Sequence, residues 1–129
     1  ILAIAIAKLF SARIIAVDND IHAVEMTRRN IVVNKVSQYI KVYKSTGLIG
    51  NHLNSGAKYD LVVANILYNP IKSMMRSIIE NLSNGGSLIL SGLNLKQTKH
   101  LKEISKQFRL KVINERKEAN WGALLLKKI

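Results

Sequence analysis

Apolar and polar positions along the chain follow two periodicities. Several short segments are apolar or alternate every second residue and have many β-branched side chains, which is typical of strands. Between them, apolar residues recur every three or four positions, as in helices with one buried face. The pattern predicts strands at 13–17, 39–43, 59–65, 87–91, 111–114 and 123–126.

The second periodicity predicts helices over 2–10, after Asp20, from Pro70 onward and around 101–108. The Asp20 carboxylate is placed to cap the helix that follows it. Pro70 suits the first turn of its helix, where the missing N–H would have no partner in any case. The segment 84–86, Asn-Gly-Gly, is predicted to end that helix. The two methionines of the helix that begins at Pro70, Met74 and Met75, lie on its apolar stripe and are predicted to be core residues.

This order of elements predicts an α/β fold. Strands that alternate with helices form a mostly parallel sheet with helices on both faces, as in Rossmann-like proteins. The last two predicted strands are close in sequence and are expected to pair antiparallel. The strand at 39–43 is expected near an edge, the strand at 13–17 is expected to be covered on both faces, and 45–57 is predicted as a loop. A chain of 129 residues has room for one domain, so 1–129 is predicted as a single unit.

Composition narrows the classes of site. The chain has no cysteine, and its three histidines, His22, His52 and His100, do not have metal-ligand spacing. The apolar run at 1–10 is about half the length that a membrane span needs. We therefore expect a cytoplasmic protein that holds no metal and does not enter a membrane.

The formal net charge of +12 raises the question of nucleic-acid binding. The lysines are spread along the chain, and the aromatic residues that would stack on bases are few. A solvated basic surface, useful near a ribosome, is favoured over a dedicated nucleic-acid interface.

Two polar residues end predicted strands: Asp18 follows Val17, and Asn65 follows Ala64. Ligands of parallel α/β sheets bind beyond the carboxyl ends of the strands, so both side chains are expected at that edge. Asp18 can accept hydrogen bonds from ribose hydroxyls, or it can act only in capping the next helix. Asn65 can accept a hydrogen bond from a substrate amine and aim its lone pair, or it can make only local turn bonds.

With these residues in place, the chain resembles class I S-adenosylmethionine-dependent methyltransferases, and among them the ribosomal protein L11 methyltransferases of the PrmA type. The likeness lies in "AVDNDIHAVEMTRRN", "YDLVVANILYNP", "GGSLILSG" and the segment around Trp121. It implies that Asp18 binds the cofactor ribose and that Asn65 contacts both cofactor and substrate amine. The implied cofactor is S-adenosylmethionine, and the implied acceptors are lysine and N-terminal amines of L11. The likeness is also compatible with contact between this chain and ribosomal RNA.

Tyr68 is a further candidate. The segment from Asn65 to Tyr68 is similar to the Asn-Pro-Pro-Tyr of amide and amine methyltransferases, although the prolines are absent. Tyr68 either lies near the amine or only packs in the fold. Other acceptors of the same fold stay open: a glutamine amide, an RNA base or a small molecule. An inactive remnant is a further alternative.

The likeness also implies a segment before Ile1. In this family the run "ILAIA" follows a central strand that ends in an Asp-x-Gly-x-Gly-x-Gly loop, whose backbone approaches the cofactor. We therefore expect residues 1–129 to be a carboxy-terminal piece of the catalytic domain. We expect this piece alone to bind the cofactor weakly or not at all, and to transfer no methyl groups.

Overall fold

The computed structural model describes residues 1–48 and 56–129. The chain divides into two compact units, Ile1–Ser55 and Gly56–Ile129. Part of the loop predicted over 45–57, including His52, lies outside the described residues.

The first unit has two helices and a pair of strands in its described part. In chain order these are α1 (Leu2–Phe10), β1 (Ile14–Asp18), α2 (Ile21–Val33) and β2 (Ile40–Lys44). The strands pair parallel, with Ile14 opposite Ile40 and Asp18 opposite Lys44. As predicted, Asp20 caps α2: its carboxylate accepts a hydrogen bond from the His22 N–H at 2.9 Å.

Small and β-branched side chains form the core of the first unit. These residues are Ala7, Val24, Ile31, Val36, Ile40 and Val42. They come from both helices, from the segment that follows α2, and from β2. Residues 14–17 of β1 are half-buried rather than fully covered as predicted, because β1 has a strand on one side only among the described residues.

The second unit is described throughout and holds one sheet of four strands with two helices. Its elements are β3 (Tyr59–Asn65), α3 (Tyr68–Asn81), β4 (Leu82–Asn94), α4 (Leu95–Gln107), β5 (Leu110–Glu118) and β6 (Trp121–Lys128). The strand order is β3-β4-β6-β5. β3 and β4 pair parallel, whereas β6 pairs antiparallel with both β4 and β5. The predicted α/β fold, with an antiparallel strand pair at the end of the chain, is confirmed.

Long aliphatic side chains form the core of the second unit. The fully buried ones include Ile71, Met75, Ile78, Leu82, Leu88, Leu90, Leu93, Leu101, Leu124 and Leu126. Met75 of α3 is a core residue as predicted, whereas Met74, also predicted to be a core residue, is only partly buried. β4 and β6 lie in the middle of the sheet and supply many of these buried side chains.

Two helix boundaries differ from the prediction. α3 ends at Asn81, so 84–86 lies inside β4 instead of ending the helix. Leu82 leaves the helix because it pairs with Tyr59 of β3 and is fully buried there. α4 begins at Leu95, well before the apolar positions that predicted it, because Asn94 and Gln97 form a reciprocal capping box.

Candidate functional site

Asp18 is the last residue of β1, and its side chain is exposed. One carboxylate oxygen, Oδ1, accepts a hydrogen bond from the Asp20 N–H at 2.9 Å. The other oxygen has no hydrogen-bond partner among the described residues. Because Asp20 caps α2, Asp18 is not needed for that purpose. The strand end thus presents a carboxylate oxygen that can accept hydrogen bonds from a ligand.

Asn65 is the last residue of β3 and stands opposite Ser91 of β4. The residue is exposed, and its side chain makes no hydrogen bond within the described chain. The alternative that Asn65 makes only local turn bonds therefore has no support in this structure. The side-chain oxygen lies against Gly92, where a Cβ would overlap it and would be 3.6 Å from Cγ.

Tyr68 begins α3, and its hydroxyl is hydrogen-bonded to Nδ1 of His100 on α4. The two rings are 5.8 Å apart between centroids and tilted by 36°. His100 could not be recognised from the sequence as a partner of Tyr68, because the two residues are 32 positions apart and no local pattern joins them. The contact fixes the Tyr68 side chain at the amino-terminal end of α3.

Two exposed apolar side chains, Leu67 and Trp121, lie at the end of the second unit's sheet where β3 and β4 terminate. Leu67, between Asn65 and α3, is 78% exposed. Trp121 begins β6 opposite Asn94, the last residue of β4, and is 61% exposed. Because β6 runs antiparallel to β4, Trp121 lies at the sheet edge that also holds Asn65. A polar amide with apolar neighbours suits a protein segment as ligand.

The structure thus places Asp18 and Asn65 each at the carboxyl end of a strand in a parallel pair, and Tyr68 at the start of the helix that follows Asn65. Asp18 belongs to the first unit, and Asn65 and Tyr68 belong to the second. The expectation that Asp18 and Asn65 share one edge stays a prediction. Within 1–48 and 56–129, no group of acidic, histidine or cysteine side chains could hold a metal ion. No helix in those ranges is long and apolar enough to span a membrane.

Comparison with known proteins identifies the family. A family model described as "Ribosomal protein L11 methyltransferase (PrmA)" matches residues 1–129. The chain belongs to the ribosomal protein L11 methyltransferase (PrmA) family. The resemblance found from the sequence is therefore confirmed.

Two relatives named ribosomal protein L11 methyltransferase show the extent of the match. The protein of Bradyrhizobium diazoefficiens is 30% identical over 129 residues, which is all of this chain and 44% of that protein. The protein of Brucella suis is 42% identical over 93 residues, which is 72% of this chain and 33% of that protein. The chain thus spans less than half the length of these relatives.

Solved structures share the fold. A ribosomal protein L11 methylase from Lactobacillus delbrueckii subsp. bulgaricus has a TM-score of 0.88 and 23% identity, over 98% of this chain and 63% of that one. An RNA methyltransferase from Salinibacter ruber, solved with S-adenosyl-L-homocysteine, has a TM-score of 0.71 and 13% identity, over 98% of this chain and 72% of that one. At these identities the likeness establishes the fold alone.

Proposed function

We propose that this chain is part of an S-adenosylmethionine-dependent enzyme that methylates amino groups of ribosomal protein L11. The observation behind the proposal is the family match over residues 1–129, together with the available polar side chains at two strand ends. The names of the relatives support L11 as the substrate. We place the reaction in the cytoplasm, where ribosomes are assembled.

Asp18 is the proposed ribose ligand. An ionised carboxylate only accepts hydrogen bonds, and the two hydroxyls of a ribose can both donate to it. The Asp18 oxygen without a partner meets this requirement, and the bond from the Asp20 N–H fixes the orientation of the carboxylate. The chemistry of this side chain therefore fits S-adenosylmethionine, which when bound supplies a methyl group on a positively charged sulfur.

Asn65 is proposed to contact the cofactor and to position the acceptor amine. Its amide oxygen can accept a hydrogen bond from an amine N–H and so direct the nitrogen lone pair. An amide does not protonate the amine, so the nitrogen remains a nucleophile. Because Asn65 ends a strand that packs on β4, its backbone is held in place, and alignment of this kind lowers the barrier to reaction.

Tyr68 is assigned to the acceptor side of the site. It begins the helix that follows Asn65, and the hydrogen bond to His100 limits the motion of its ring. Leu67 and Trp121 add exposed apolar surface at this edge. We propose that these side chains contact L11 around the methylated amine, and that the basic surface of the chain lies toward ribosomal RNA.

A labelling experiment separates the possible acceptors. The protein, in the form that its gene encodes, is incubated with methyl-labelled S-adenosylmethionine and either L11 or ribosomal RNA, and the label is mapped by mass spectrometry. We expect label on lysine side chains and the N-terminal amine of L11. Label on a glutamine amide or on RNA would favour the corresponding alternative, and no label on any acceptor would contradict the proposal.

The Asn65→Ala variant ties this activity to the strand end. Its matched control is Asn84→Ala, which removes an exposed asparagine from β4, near the other end of the sheet. Loss of labelling in the first variant alone supports the proposed site. Equal labelling in both variants would remove Asn65 from it.

A further inference from the structure

We infer that Gly92 is a positioning residue that sets the orientation of the Asn65 amide. The inference rests on the proposed role of Asn65 in aligning the acceptor amine. It concerns a glycine in β4, the strand beside the one that Asn65 ends. Three features of Gly92 support it: its place in a bulge, its backbone conformation and its contact with Asn65.

Gly92 lies in a β-bulge. In the pairing of β4 with β6, Leu90 is opposite Leu124 and Leu93 is opposite Gly122. Ser91 and Gly92 therefore share a single partner, Ala123, so β4 has one residue more than β6 at this point. Bulges of this kind redirect side chains and are frequent beside active sites. Here the bulge is at the end of β4 that adjoins Asn65.

The backbone conformation of Gly92 is one that other residues rarely adopt. Its φ is +74°, in the left-handed region, where a Cβ is strained. This requirement alone would explain a glycine by backbone geometry. It does not account for the Asn65 side chain, which occupies the space where a Cβ on Gly92 would lie.

That space holds the Asn65 amide. A Cβ on Gly92 would overlap Asn65 Oδ1, the atom proposed to accept the hydrogen bond from the amine. The obstructed atom is at the end of a side chain that can rotate, so a substitution would turn the amide rather than unfold the sheet. Gly92 therefore gives the amide room to keep its observed orientation and leaves Oδ1 uncovered on that side.

Gly85 offers a matched control in the same strand. It also has a φ of +74°, but a Cβ there would have no atom within 4 Å. Alanine at either position therefore has to adopt the same positive φ. Only alanine at position 92 also meets Asn65, so the difference between the two variants isolates that contact.

The test compares Gly92→Ala with Gly85→Ala in the protein that the gene encodes. The Asn65 side-chain NH₂ signals are followed in ¹⁵N–¹H spectra and assigned by their loss in Asn65→Asp. We expect both variants to lower the Tm by a similar amount, and only Gly92→Ala to shift the Asn65 signals. Unchanged Asn65 signals in Gly92→Ala would overturn the inference.

A second pair of variants keeps the test valid if alanine prevents folding. Asparagine tolerates a positive φ better than alanine but still adds a Cβ. Gly92→Asn and Gly85→Asn should therefore show the same contrast in the Asn65 signals. In an Asn65→Ala background, Gly92→Ala should lower the Tm no more than Gly85→Ala does. A larger fall there would assign the effect to another contact and overturn the inference.

Activity separates this inference from the proposed function. In the protein that the gene encodes, Gly92→Ala should lower kcat by about tenfold or more, because a misplaced group loses alignment, and by a larger factor than it weakens cofactor binding. Gly85→Ala should leave kcat near wild type. Shifted Asn65 signals with normal kcat would uphold the positioning by Gly92 and contradict the amine role of Asn65.

Discussion

The first unit has one parallel strand pair in its described part, whereas the second unit has strands on both sides of β4 and β6. A two-stranded sheet is marginally stable unless other elements cover it. In the first unit that cover comes from α1 and α2. In the second unit four strands pair in one sheet, and α3 and α4 contribute fully buried side chains to the same core as β4 and β6.

The two cores also differ in the size of their side chains. The first contains three valines, two isoleucines and one alanine, and large residues such as Leu9, Phe10 and Val33 are mostly exposed. The second buries long aliphatic side chains completely, among them Leu88, Leu90, Leu124 and Leu126. Since burial of apolar area is the main source of stability, we expect the second unit to resist unfolding more strongly.

This difference matches the roles that we propose for the two units. Asp18, in the first unit, is proposed to accept hydrogen bonds from ribose hydroxyls, which can rotate toward it. Asn65, on the better-packed unit, must align an amine, and alignment is the more sensitive to small displacements. The residue that needs the more precise placement is on the unit whose core buries the larger side chains.

The largest effect is expected from a core substitution in the second unit. Leu90→Ala should lower the free energy of unfolding by about 2–5 kcal/mol, because it leaves a cavity in a fully buried site. Val42→Ala, in the smaller core, should lower it by about 1.5 kcal/mol. Both are measured by urea unfolding followed by circular dichroism, and by the fluorescence of Trp121 in the second unit.

The exposed Val33 provides the control, since Val33→Ala should change the unfolding free energy by less than about 0.5 kcal/mol. Equal losses from Leu90→Ala and Val42→Ala would remove the distinction between the two cores.

A substitution at Asp18 tests the role of the first unit. Asp18→Ala should weaken S-adenosylmethionine binding by about 1.5–3 kcal/mol, the value of hydrogen bonds to a charged group. Calorimetric titration of the protein that the gene encodes measures the change. Asp60→Ala, which removes an exposed aspartate near the start of β3, should bind as wild type. Unchanged affinity in Asp18→Ala would exclude it from the site.

A smaller effect is expected from an ion pair in the second unit. The Glu115 carboxylate accepts a hydrogen bond from Lys102 Nζ at 2.7 Å, and this bond lowers the pKa of Glu115 below its ordinary value of 4.5. Because the pKa is lower in the folded state, the carboxylate stabilises the fold at pH values above its ordinary pKa. This stabilisation is lost as the pH falls through the folded-state pKa. The pair should contribute about 0.2–1 kcal/mol.

Urea midpoints between neutral and acidic pH measure this contribution. Lys102→Ala should reduce the acid sensitivity of unfolding, whereas Lys106→Ala, which breaks the more exposed pair with Glu103, should change it less. If Lys102→Ala left the pH dependence unaltered, the pair would add nothing to the second unit.

Much of the fold could be predicted because the apolar patterns are local. β3 was predicted over its full range, 59–65, since an apolar run there is bounded by polar residues. The α3 stripe and the Asp20 cap were also predicted. The start of β4 was not, because Leu82 continues the helical spacing of α3 and only its burial against β3 draws it into the strand.

The candidate site could be predicted only in part, for the same reason. Asp18 and Asn65 were found because each is a polar residue at the end of an apolar strand. His100 and Gly92 were not, because their significance depends on contacts with Tyr68 and Asn65 across the fold. A periodic pattern identifies which residues end a strand, but not which distant side chain lies against them.

The kinetics of Asn65→Ala measure whether the end of β3 aligns the acceptor amine. In the protein that the gene encodes, kcat for methyl transfer to L11 and the Kd for S-adenosylmethionine are measured side by side with wild type. An interaction that acts mainly on alignment in the transition state should lower kcat more than it weakens cofactor binding. We expect kcat to fall by a larger factor than Kd rises, whereas a kcat near the wild-type value would exclude amine positioning by Asn65.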